Sequence, residues 1–504
     1  MSLAIVCTRA QVGISAPQVN VEVHLSGGLP SFAIVGLPET AVKESRERVR
    51  SALINSGFDF PQRRITVNLA PADLPKEGGR YDLAIAVGIL AASGQVPLAS
   101  IEGSEFLGEL ALSGTIRAVN GVLPAALACR DVSRQLFLAE KSRSSAMKAR
   151  GLAIFPVQHL LQLSAHLTAT DPLAAETGTG YQSEQSAQLY PDLADVKGQF
   201  QAKRALEIAA AGGHNILLVG PPGSGKSMLA NRLPGLLPEM TEEECLDVEV
   251  VHSITNLQER EHSLNRPFRA PHHTASAVAL VGGGGNPRPG EISLAHQGVL
   301  FLDELPEFSR QVLEVLREPM ETGEILISRA SGQTLFPSRF QLVTAMNPCP
   351  CGYYADGSDR CRCSPDQVRR YQSRVSGPLL DRIDLQMTVQ AVSQNDLMNI
   401  TEQGECSATV RSRVIESRKR QIDRQQTPNQ LLQGKCLEKH CVLEEQDQVL
   451  LANAMERLNL SARAYHRILR VARTIADLAG KEKIEKPDLL EALSYRVSGQ
   501  DMLK

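Results

Sequence analysis

One octapeptide constrains this chain more than any other stretch, because it forms a complete G-x-x-x-x-G-K-S phosphate loop: Gly220, Pro221, Pro222, Gly223, Ser224, Gly225, Lys226 and Ser227. The apolar residues 215–219 before it predict a buried strand, and residues 228–233 after it predict the start of a helix. Glycines let backbone N–H groups converge on phosphate oxygens, and a helix N-terminus adds partial positive charge. We expect Lys226 to reach the β- and γ-phosphates of ATP and the Ser227 hydroxyl to bind Mg²⁺.

A second motif complements the phosphate loop. Residues 298–302 are a short apolar run that ends in two carboxylates, Asp303 and Glu304. Such a strand can lie beside the phosphate-loop strand in a parallel sheet, with Asp303 at its carboxyl end. We expect Asp303 to hold Mg²⁺, mostly through water, and Glu304 to polarise the attacking water. Two acids rather than one favour hydrolysis over simple nucleotide binding.

Composition sets broad limits on the rest of the chain. With 504 residues, two to four domains are expected. The net charge of −3 means that any contact with DNA must come from local patches. There is no Trp and only 4% of residues are aromatic, which argues against a base-stacking platform.

We expect the protein to lie in the cytoplasm and to have no membrane partner. No apolar run approaches the length that spans a bilayer, and residues 1–20 lack the basic start and apolar core of a secretory signal. Ten cysteines are present, of which four cluster between 349 and 363 and the others are scattered. This distribution argues against a disulfide framework.

The pattern of elements predicts a multidomain α/β protein. Residues 1–165 alternate strand-like and helical segments, which indicates an α+β domain. Residues 166–190 are polar and predict a linker. Residues 191–390 hold the ATPase motifs and predict a core with a parallel sheet. Residues 391–504 predict a helical lid.

The N-terminal domain resembles the protease domain of Lon in two stretches, residues 75–81 and 108–114. In that family a serine and a lysine form the amide-cleaving dyad. Here the serine position falls on Arg80 and the lysine position on Leu123. Because a nucleophile and a base are both missing, we expect the fold to persist without peptidase chemistry.

The ATPase core resembles AAA+ proteins outside its two motifs. Residues 195–199 resemble the segment that packs on adenine. Residues 343–348 resemble the sensor strand, and the resemblance gives Asn347 the task of positioning the lytic water. Residues 379–384 resemble the segment that carries an arginine finger in magnesium chelatase and MCM helicases, and Arg382 matches the finger.

Two further interpretations concern arginines of the core and the lid. Taken alone, Arg382 also fits a surface ion pair, which contributes little to stability. Residues 458–478 predict a strong helix. In AAA+ lids an arginine near the start of this helix reaches the γ-phosphate within or across the subunit. Arg463 matches that position best, and Arg470 is the runner-up.

Insertions in the core offer candidate contacts with DNA. Residues 324–329 and 333–336 predict two strands of a hairpin with Arg329 near its tip. The hairpin resembles those that enter the hexamer pore in the MCM and magnesium-chelatase branch, and we take Arg329 as a DNA contact. The adjacent His272 and His273 invite a metal assignment, which we disfavour because neighbours on a strand point apart.

Two assignments stay open. Residues 408–424 predict a helix rich in arginine, which fits either a solvated face or a contact with DNA phosphates. Four cysteines, in the spacing C-x-C, nine residues, C-x-C, fit a structural Zn²⁺ site: Cys349, Cys351, Cys361 and Cys363. The intervening loop has too little apolar content to order itself. Reduced free thiols and, less favoured, a disulfide pair are the alternatives.

Taken together, the order of domains resembles the ComM/YifB magnesium-chelatase-like proteins over nearly the whole chain. The sequence Asn-Pro-Cys-Pro-Cys-Gly at 347–352 is the most specific part of the resemblance. The resemblance implies a hexameric bacterial ATPase that binds DNA without sequence preference and drives branch migration during natural transformation. The alternatives are a motor subunit of a true magnesium chelatase and a protein remodeller that acts without DNA.

Overall fold

The computed structural model describes residues 2–36, 42, 44–180, 190–255, 265–284, 287–329, 332–354, 359–391, 404–458 and 460–503. The chain forms a mixed sheet with helices in its first third and a parallel sheet with helices after it, so the expected α/β architecture is confirmed. Within the described ranges, no helix combines the length and the apolar character needed to cross a membrane.

The N-terminal sheet has the strand order β10-β9-β8-β5-β1-β2-β4-β3. A short ribbon, β6–β7, lies beside it. The strands of this part of the chain are Ser2–Arg9 (β1), Gln18–Ser26 (β2), Ser31–Val35 (β3), Arg64–Ala70 (β4), Ser104–Leu107 (β5), Glu109–Leu110 (β6), Ile116–Arg117 (β7), Gln135–Ala139 (β8), Ala153–Val157 (β9) and Glu176–Thr177 (β10). The α-helices are Ser45–Asn55, Asp82–Ala92, Val122–Asp131, Arg143–Met147 and Leu160–Leu167, with 3₁₀ turns at Leu98–Ile101 and Glu140–Ser142.

A buried helix covers this sheet. Alternate residues of β2 are buried, as expected for a strand with one face on a core. Every residue of the helix Asp82–Ala92 is buried. A Cβ on Gly88 would lie 2.5 Å from Val23 Cγ2, so a glycine lets this helix approach β2 closely. This packing forms the core of the N-terminal domain.

The end of the N-terminal domain lies later than the sequence predicted. We placed it at residue 165, but that position falls inside the helix Leu160–Leu167. Beyond it, β10 pairs antiparallel with β9 and extends the sheet to Thr177. A two-residue strand carries no periodicity that a sequence could reveal, so this part of the expected linker was misread. Residues 181–189 of that linker lie outside the described residues.

The second sheet is parallel throughout, in the order β12-β15-β18-β11-β19. Its strands and those of two nearby ribbons are Ile216–Val219 (β11), Phe268–Arg269 (β12), Gly282–Gly283 (β13), Arg288–Pro289 (β14), Val299–Leu302 (β15), Glu324–Arg329 (β16), Gly332–Pro337 (β17), Gln341–Met346 (β18) and Leu385–Thr388 (β19). The residues of β11, β15 and β18 are all buried, as expected for a sheet covered on both faces.

One expected pairing is wrong. We expected the strand before Asp303 to lie beside the phosphate-loop strand, but β18 lies between β15 and β11. The strand that precedes Asn347 therefore occupies the central position. Because all three strands are parallel, their carboxyl ends still share one edge of the sheet, and the chemistry predicted for that edge is unaffected.

Helices surround the second sheet and make up the C-terminal part. In the core they are Phe200–Gly212, Lys226–Ala230, Leu233–Leu236, Glu242–Ser253, Ala277–Val281, Glu291–Leu294, Arg310–Val315, Pro319–Thr322, Pro365–Gln372 and Gly377–Leu380, with 3₁₀ turns at Leu193–Asp195 and Leu305–Glu307. The C-terminal helices are Ser407–Gln425, Gly434–His440, Glu445–Leu458, Ala462–Leu478 and Lys486–Leu503, with a 3₁₀ turn at Asn429–Leu431.

The lid helix begins later than the apolar pattern predicted. The preceding helix ends at Leu458, and Ser461 caps the next one by accepting a hydrogen bond from the backbone N–H of Ala464. The lid helix is therefore Ala462–Leu478, which puts Arg463 in its first turn. A capping serine outweighed the continuous pattern of apolar residues.

The N-terminal domain and the core touch at several places, which include a hydrogen bond from Gly121 N to the Ser253 carbonyl oxygen at 3.2 Å. Lys148 Nζ and Glu249 Oε2 form a buried ion pair at 2.9 Å. In addition, Ile14 in the turn between β1 and β2 packs against the core cluster that contains β15 and β18. A Cβ on Gly13 would lie 2.2 Å from Thr334 Cγ2 of β17. The N-terminal domain thus contacts β17 of the β16–β17 hairpin directly.

Candidate nucleotide site, arginine cavity and cysteine cluster

The phosphate loop joins β11 to the helix Lys226–Ala230, as the motif predicted. Gly223 and Gly225 have φ of 76° and 88°, the left-handed region that glycine adopts without penalty. Gly220 has a different constraint, because a Cβ there would lie 2.1 Å from the carbonyl oxygen of Val389. The loop therefore depends on its glycines both for backbone shape and for contact with the end of β19.

Lys226 is held inside the loop. Its ammonium donates to the carbonyl oxygens of Gly220 and Pro221, each at 2.8 Å, and to Asn347 Oδ1 at 3.1 Å. Burial lowers the pKa of Lys226, and the charges of Asp303 and Glu304 oppose that shift. The lysine and the sensor residue, 121 positions apart, thus meet at the place where the phosphates of a nucleotide would lie.

The two predicted ligands of Mg²⁺ also meet. Ser227 Oγ donates to Asp303 Oδ2 at 2.5 Å, and Asp303 Oδ1 accepts from the backbone N–H of Glu304 at 2.9 Å. A hydroxyl and a carboxylate are the hard oxygen donors that Mg²⁺ prefers, usually with several waters retained. The donor set and its convergence therefore fit Mg²⁺.

Glu304 stands at a special backbone position. Its φ is 51°, which is uncommon for a residue other than glycine, and its side chain is 55% exposed. Glu304 Oε2 lies 3.2 Å from His273 Nδ1. The candidate general base is therefore restrained by an imidazole from another segment.

Sequence reasoning missed the role of this histidine. We expected His272 and His273 to point apart, but their ring centroids are 4.1 Å apart and the rings are tilted by 34°. The segment is not a strand at this point, since β12 ends at Arg269. The position of the histidines could have indicated this contact. They follow the carboxyl end of β12, which pairs with β15, the strand that precedes Glu304. Across the described ranges, the residues arranged to hold a metal ion do not include either histidine.

The segment expected near adenine contacts the phosphate loop. Gln199 Nε2 donates to the carbonyl oxygens of Ser224, at 3.3 Å, and Gln390, at 2.6 Å. Gln199 precedes the helix Phe200–Gly212 and has a φ of 54°. It thus ties the start of this helix to the phosphate loop and to the segment after β19.

Arg382 lies at the other edge of the sheet. Asp384 N donates to the carbonyl oxygen of Asn215, the residue just before β11, whereas the phosphate loop follows the end of that strand. Four strand residues span about 13 Å. Arg382 therefore cannot reach the nucleotide held by its own phosphate loop.

The Arg382 side chain is buried and not exposed at the surface. It is 5% exposed, its Nη2 lies 2.5 Å from Glu321 Oε1, and its Nη1 donates to the Pro378 carbonyl at 2.7 Å. Burial lowers the pKa of Arg382, while the Glu321 charge raises it. The ion-pair alternative thus describes Arg382 in this structure, with the arginine buried and Glu321 at the surface. The finger role stays a prediction that requires Arg382 to exchange Glu321 for a phosphate.

Arg463 shares a cavity with Arg382. The cavity has a volume of about 320 Å³, and its cationic lining includes Arg382, Arg463, Arg467 and Arg470. Arg463 is exposed in this lining, and burial lowers the pKa of Arg470. Of the two lid arginines considered from sequence, both face the edge of the sheet opposite the chain's own phosphate loop.

The arginines of the helix Ser407–Gln425 have partners within the chain. They bind partners within the chain, through the pairs Arg411–Glu239, Arg413–Glu207, Arg413–Glu405, Arg420–Glu416 and Arg424–Asp477. Arg418 donates to the carbonyl oxygen of Ala210 at 2.7 Å. Several of these arginines therefore dock the helix on the core, while its other face, with Glu416 and Lys419, is exposed. The contact with DNA phosphates stays a prediction.

The predicted hairpin is present. β16 pairs antiparallel with β17, and the register ends with Arg329 opposite Gly332. Residues 330–331 and the side chain of Arg329 lie outside the described residues, so the expected DNA contact of Arg329 stays a prediction. The base of the hairpin is fixed, because Ile325, Ile327 and Phe336 are buried in the core.

The four clustered cysteines come together. The Sγ atoms of Cys349, Cys351 and Cys361 are separated by 3.3, 3.7 and 3.9 Å, and with Cys363 all four lie within 4.8 Å of one another. Four sulfurs around Zn²⁺ with bonds of about 2.3 Å would be about 3.8 Å apart. A disulfide requires about 2.05 Å. These distances fit a tetrahedral metal site better than a disulfide.

The sulfur of Cys351 is stabilised as a thiolate. Burial raises the pKa of this thiol, but hydrogen bonds from the backbone N–H groups of Tyr353 and Arg362 and from the thiols of Cys349 and Cys363 together lower it to about 6. A thiolate, rather than a thiol, is the form that binds metal. The local backbone therefore favours the ligand form of at least one cysteine.

The two positions that correspond to the serine and lysine of the Lon dyad are buried. Arg80 is 6% exposed and donates to Gln11 Oε1 at 3.1 Å, and Leu123 is 1% exposed. Neither position supplies a nucleophile or a base.

These features define a class. A parallel sheet with a phosphate loop after β11, paired acids after β15 and a polar sensor after β18 is the nucleotide site of a P-loop protein of the AAA+ type. Protein-family models agree on the magnesium-chelatase branch. "Magnesium chelatase, subunit ChlI" matches residues 192–397, "Subunit ChlI of Mg-chelatase" matches residues 21–142, and "Magnesium chelatase, subunit ChlI C-terminal" matches residues 404–496.

Individual relatives narrow the class to one family. Competence protein ComM of Haemophilus influenzae is 52% identical to this chain over 98% of both chains. A protein called YifB of Salmonella typhimurium is 49% identical over 98% of this chain and 97% of its own. The magnesium-chelatase 38 kDa subunit of Cereibacter sphaeroides is 26% identical over 30% of this chain and 51% of its own. The chain belongs to the ComM/YifB family of magnesium-chelatase-like proteins.

Proposed function

We propose that this protein is an ATPase that acts as a ring, a homo-hexamer, and uses ATP to drive branch migration of DNA in natural transformation. One observation carries the proposal. Lys226, Ser227 and Asp303 lie together at the carboxyl edge of the parallel sheet, whereas Arg382 and Arg463 line a cavity at the other edge. A head-to-tail arrangement of identical chains joins one edge to the other, and such interfaces close into rings.

The residues present account for hydrolysis at such a shared site. Glu304 accepts a proton from the attacking water, and Asn347 holds that water in line. Mg²⁺, when bound through Ser227 and Asp303, neutralises charge on the phosphates. Arg382 of a neighbour first separates from its own partner, Glu321. It then stabilises the charge that develops on the transferred phosphoryl group.

The β16–β17 hairpin supports the assignment of DNA as the substrate. Its base is buried against the strands that carry the catalytic groups, so a shift of those strands on ATP turnover moves the hairpin. Arg329, near the tip, is the cation that would meet DNA phosphates, without sequence preference. The similar protein of Haemophilus influenzae is named a competence protein, which agrees with a role in DNA uptake and recombination.

A motor subunit of a magnesium chelatase is the alternative, because the matching family models are all described as chelatase subunits. Stimulation of ATP turnover separates the two functions. Branched DNA should raise the rate if DNA is the substrate, and porphyrin-bearing partner subunits should raise it if metal insertion is the reaction. Stimulation by neither, together with ATP-dependent unfolding of a protein substrate, would favour a protein remodeller.

We also propose that the cysteine cluster holds one structural Zn²⁺. Four thiolates close a tetrahedron and leave no open position, which gives the ion a structural and not a catalytic role. Elemental analysis of protein purified without added metal should find about one zinc per chain. A cytoplasmic location, which keeps these thiols reduced, belongs to the same proposal.

A further inference from the structure

The cysteine cluster is directly connected to the nucleotide site. The segment Cys349-Pro350-Cys351-Gly352, which we call the cysteine turn, begins two residues after the sensor Asn347. The turn is closed by a hydrogen bond from Gly352 N to the Cys349 carbonyl at 3.0 Å. One end of the turn thus continues into the residue that binds Lys226.

The other end of the turn touches the phosphate loop. Gly352 has a φ of 86°, and a Cβ there would lie 2.5 Å from Pro222 Cδ and 3.1 Å from Pro222 Cγ. A proline ring is held by its own backbone and cannot swing aside as a long side chain can. The backbone of the cysteine turn is therefore in direct contact with the loop that holds the phosphates.

Within the described residues, the polypeptide itself also anchors the first part of this turn. Cys349 is fully buried, and the carbonyl of Pro348 accepts a hydrogen bond from Gln372 Nε2 at 3.0 Å. The second pair of cysteines lies on a polar stretch with little apolar content. Ordering such a stretch costs about 1–2 kcal/mol of backbone entropy per residue, so a metal ion is the natural source of order.

We propose that the metal ion of the cysteine cluster positions the phosphate loop, so that metal-free protein binds nucleotide more weakly. The proposal rests on the zinc assignment made above. The ion holds the cysteine turn in place. This turn supports Pro222 through Gly352, and it positions Asn347 beside Lys226. The cluster is thus a positioning element of the ATP site, and nucleotide affinity depends on zinc content.

Two variants separate metal binding from the contact. The double substitution Cys361→Ser with Cys363→Ser removes the two ligands that lie farther along the chain from the phosphate loop, and it should release zinc. Gly352→Ala keeps all four ligands but pushes the turn away from Pro222. Both should bind a fluorescent ADP analogue with Mg²⁺ at least about tenfold more weakly than the wild type, and Gly352→Ala should keep about one zinc per chain.

The control is Gly94→Ala. Gly94 has a φ of 79°, close to that of Gly352, but nothing lies within 4 Å of a Cβ there. It therefore carries the same backbone strain in the N-terminal domain without a contact to the loop. Its zinc content and its affinity for the ADP analogue should equal those of the wild type.

A zinc-selective chelator provides a test that does not depend on the folding of a variant. Treating the wild-type chain should weaken binding of the ADP analogue as zinc leaves, and adding zinc back should restore it. Wild-type affinity in the zinc-free protein would overturn the positioning role while leaving the zinc site intact. Absence of zinc from the wild type, and no change in the double cysteine variant, would overturn the zinc assignment and this proposal with it.

Discussion

His273 Nδ1 lies 3.2 Å from Glu304 Oε2, so an imidazole on the segment after β12 holds the carboxylate proposed to activate water. That carboxylate must turn away from the imidazole to accept a proton from water beside a γ-phosphate. The same segment continues into the helix Ala277–Val281 and the β13–β14 ribbon. A movement of this insertion would therefore change the restraint on Glu304.

The first prediction concerns this restraint. His273→Ala should raise the rate of ATP hydrolysis without DNA by about two- to tenfold, the value of one lost hydrogen bond, with unchanged affinity for nucleotide. His272→Ala is the matched control, because His272 Nδ1 contacts Thr274 Oγ1 at 2.9 Å and not Glu304. A steady-state assay with and without DNA measures both. A His273→Ala rate equal to that of the wild type would show that the contact does not restrain catalysis.

The second prediction separates binding from turnover at the phosphate loop. Glu304→Gln should bind ATP normally and hydrolyse it about 10²- to 10⁴-fold more slowly, because only the proton acceptor is lost. Lys226→Ala should instead lose affinity for phosphate. Equilibrium binding of an ATP analogue and steady-state turnover distinguish the two. Near-normal turnover in Glu304→Gln would contradict the site.

The third prediction tests the shared site. Arg382→Ala should bind ATP but lose about 10³-fold or more in turnover, since a neighbour's guanidinium stabilises the transition state. Glu321→Gln is the control, because it removes the present partner of Arg382 and keeps the arginine. Mixing Arg382→Ala with Lys226→Ala should restore part of the activity, because each variant supplies the half that the other lacks. Mixed rings without any recovery would argue against a shared site.

The fourth prediction concerns the joint between the core and the lid. Asp384 is buried and accepts from Arg467 Nη1 at 2.7 Å. Although burial raises the pKa of Asp384, Arg467 and His214 hold it well below its usual range. This stabilisation is thus present above about pH 4, the pKa of an unfolded aspartate, and is lost as the pH falls towards the lower folded pKa.

Replacing the Asp384 carboxylate should destabilise the joint between the core and the lid. Asp384→Asn should lower the free energy of unfolding by about 3–5 kcal/mol, because Arg467 and the backbone N–H of Asn215 lose the buried carboxylate that they bind. Asp366→Asn is the control, since its pair with Arg369 is mostly exposed and contributes about 0–1 kcal/mol. Urea denaturation at pH 7 compares the two. Equal midpoints would contradict the structural role of Asp384.

The sequence predicted the parts of the site that depend on contiguous residues. The phosphate loop, the acids after β15 and the hairpin β16–β17 each carry a local pattern of glycines, alternation or strand ends. The position of β18 between β15 and β11 carries no such pattern, since strand order is set by packing across the sheet. Pairings between distant segments were missed for the same reason.

Arg382 and His273 show this limit most clearly. The sequence assigned Arg382 a task but could not show that Glu321, 61 positions earlier, now holds it. It disfavoured a metal at His273 for a sound local reason, but the segment is not a strand, and Glu304 proved to be the partner. The cysteine spacing was recognised, whereas the contact of Gly352 with Pro222 depends on the fold.

Branch migration of a synthetic four-way DNA junction tests the central claim most directly. With ATP and Mg²⁺, the wild-type protein should convert the junction to its products, and Lys226→Ala should not. Arg329→Ala should bind the junction with an affinity that still falls steeply with salt, yet migrate it more slowly. A wild-type protein that hydrolyses ATP and binds the junction but leaves it unmoved would contradict the account.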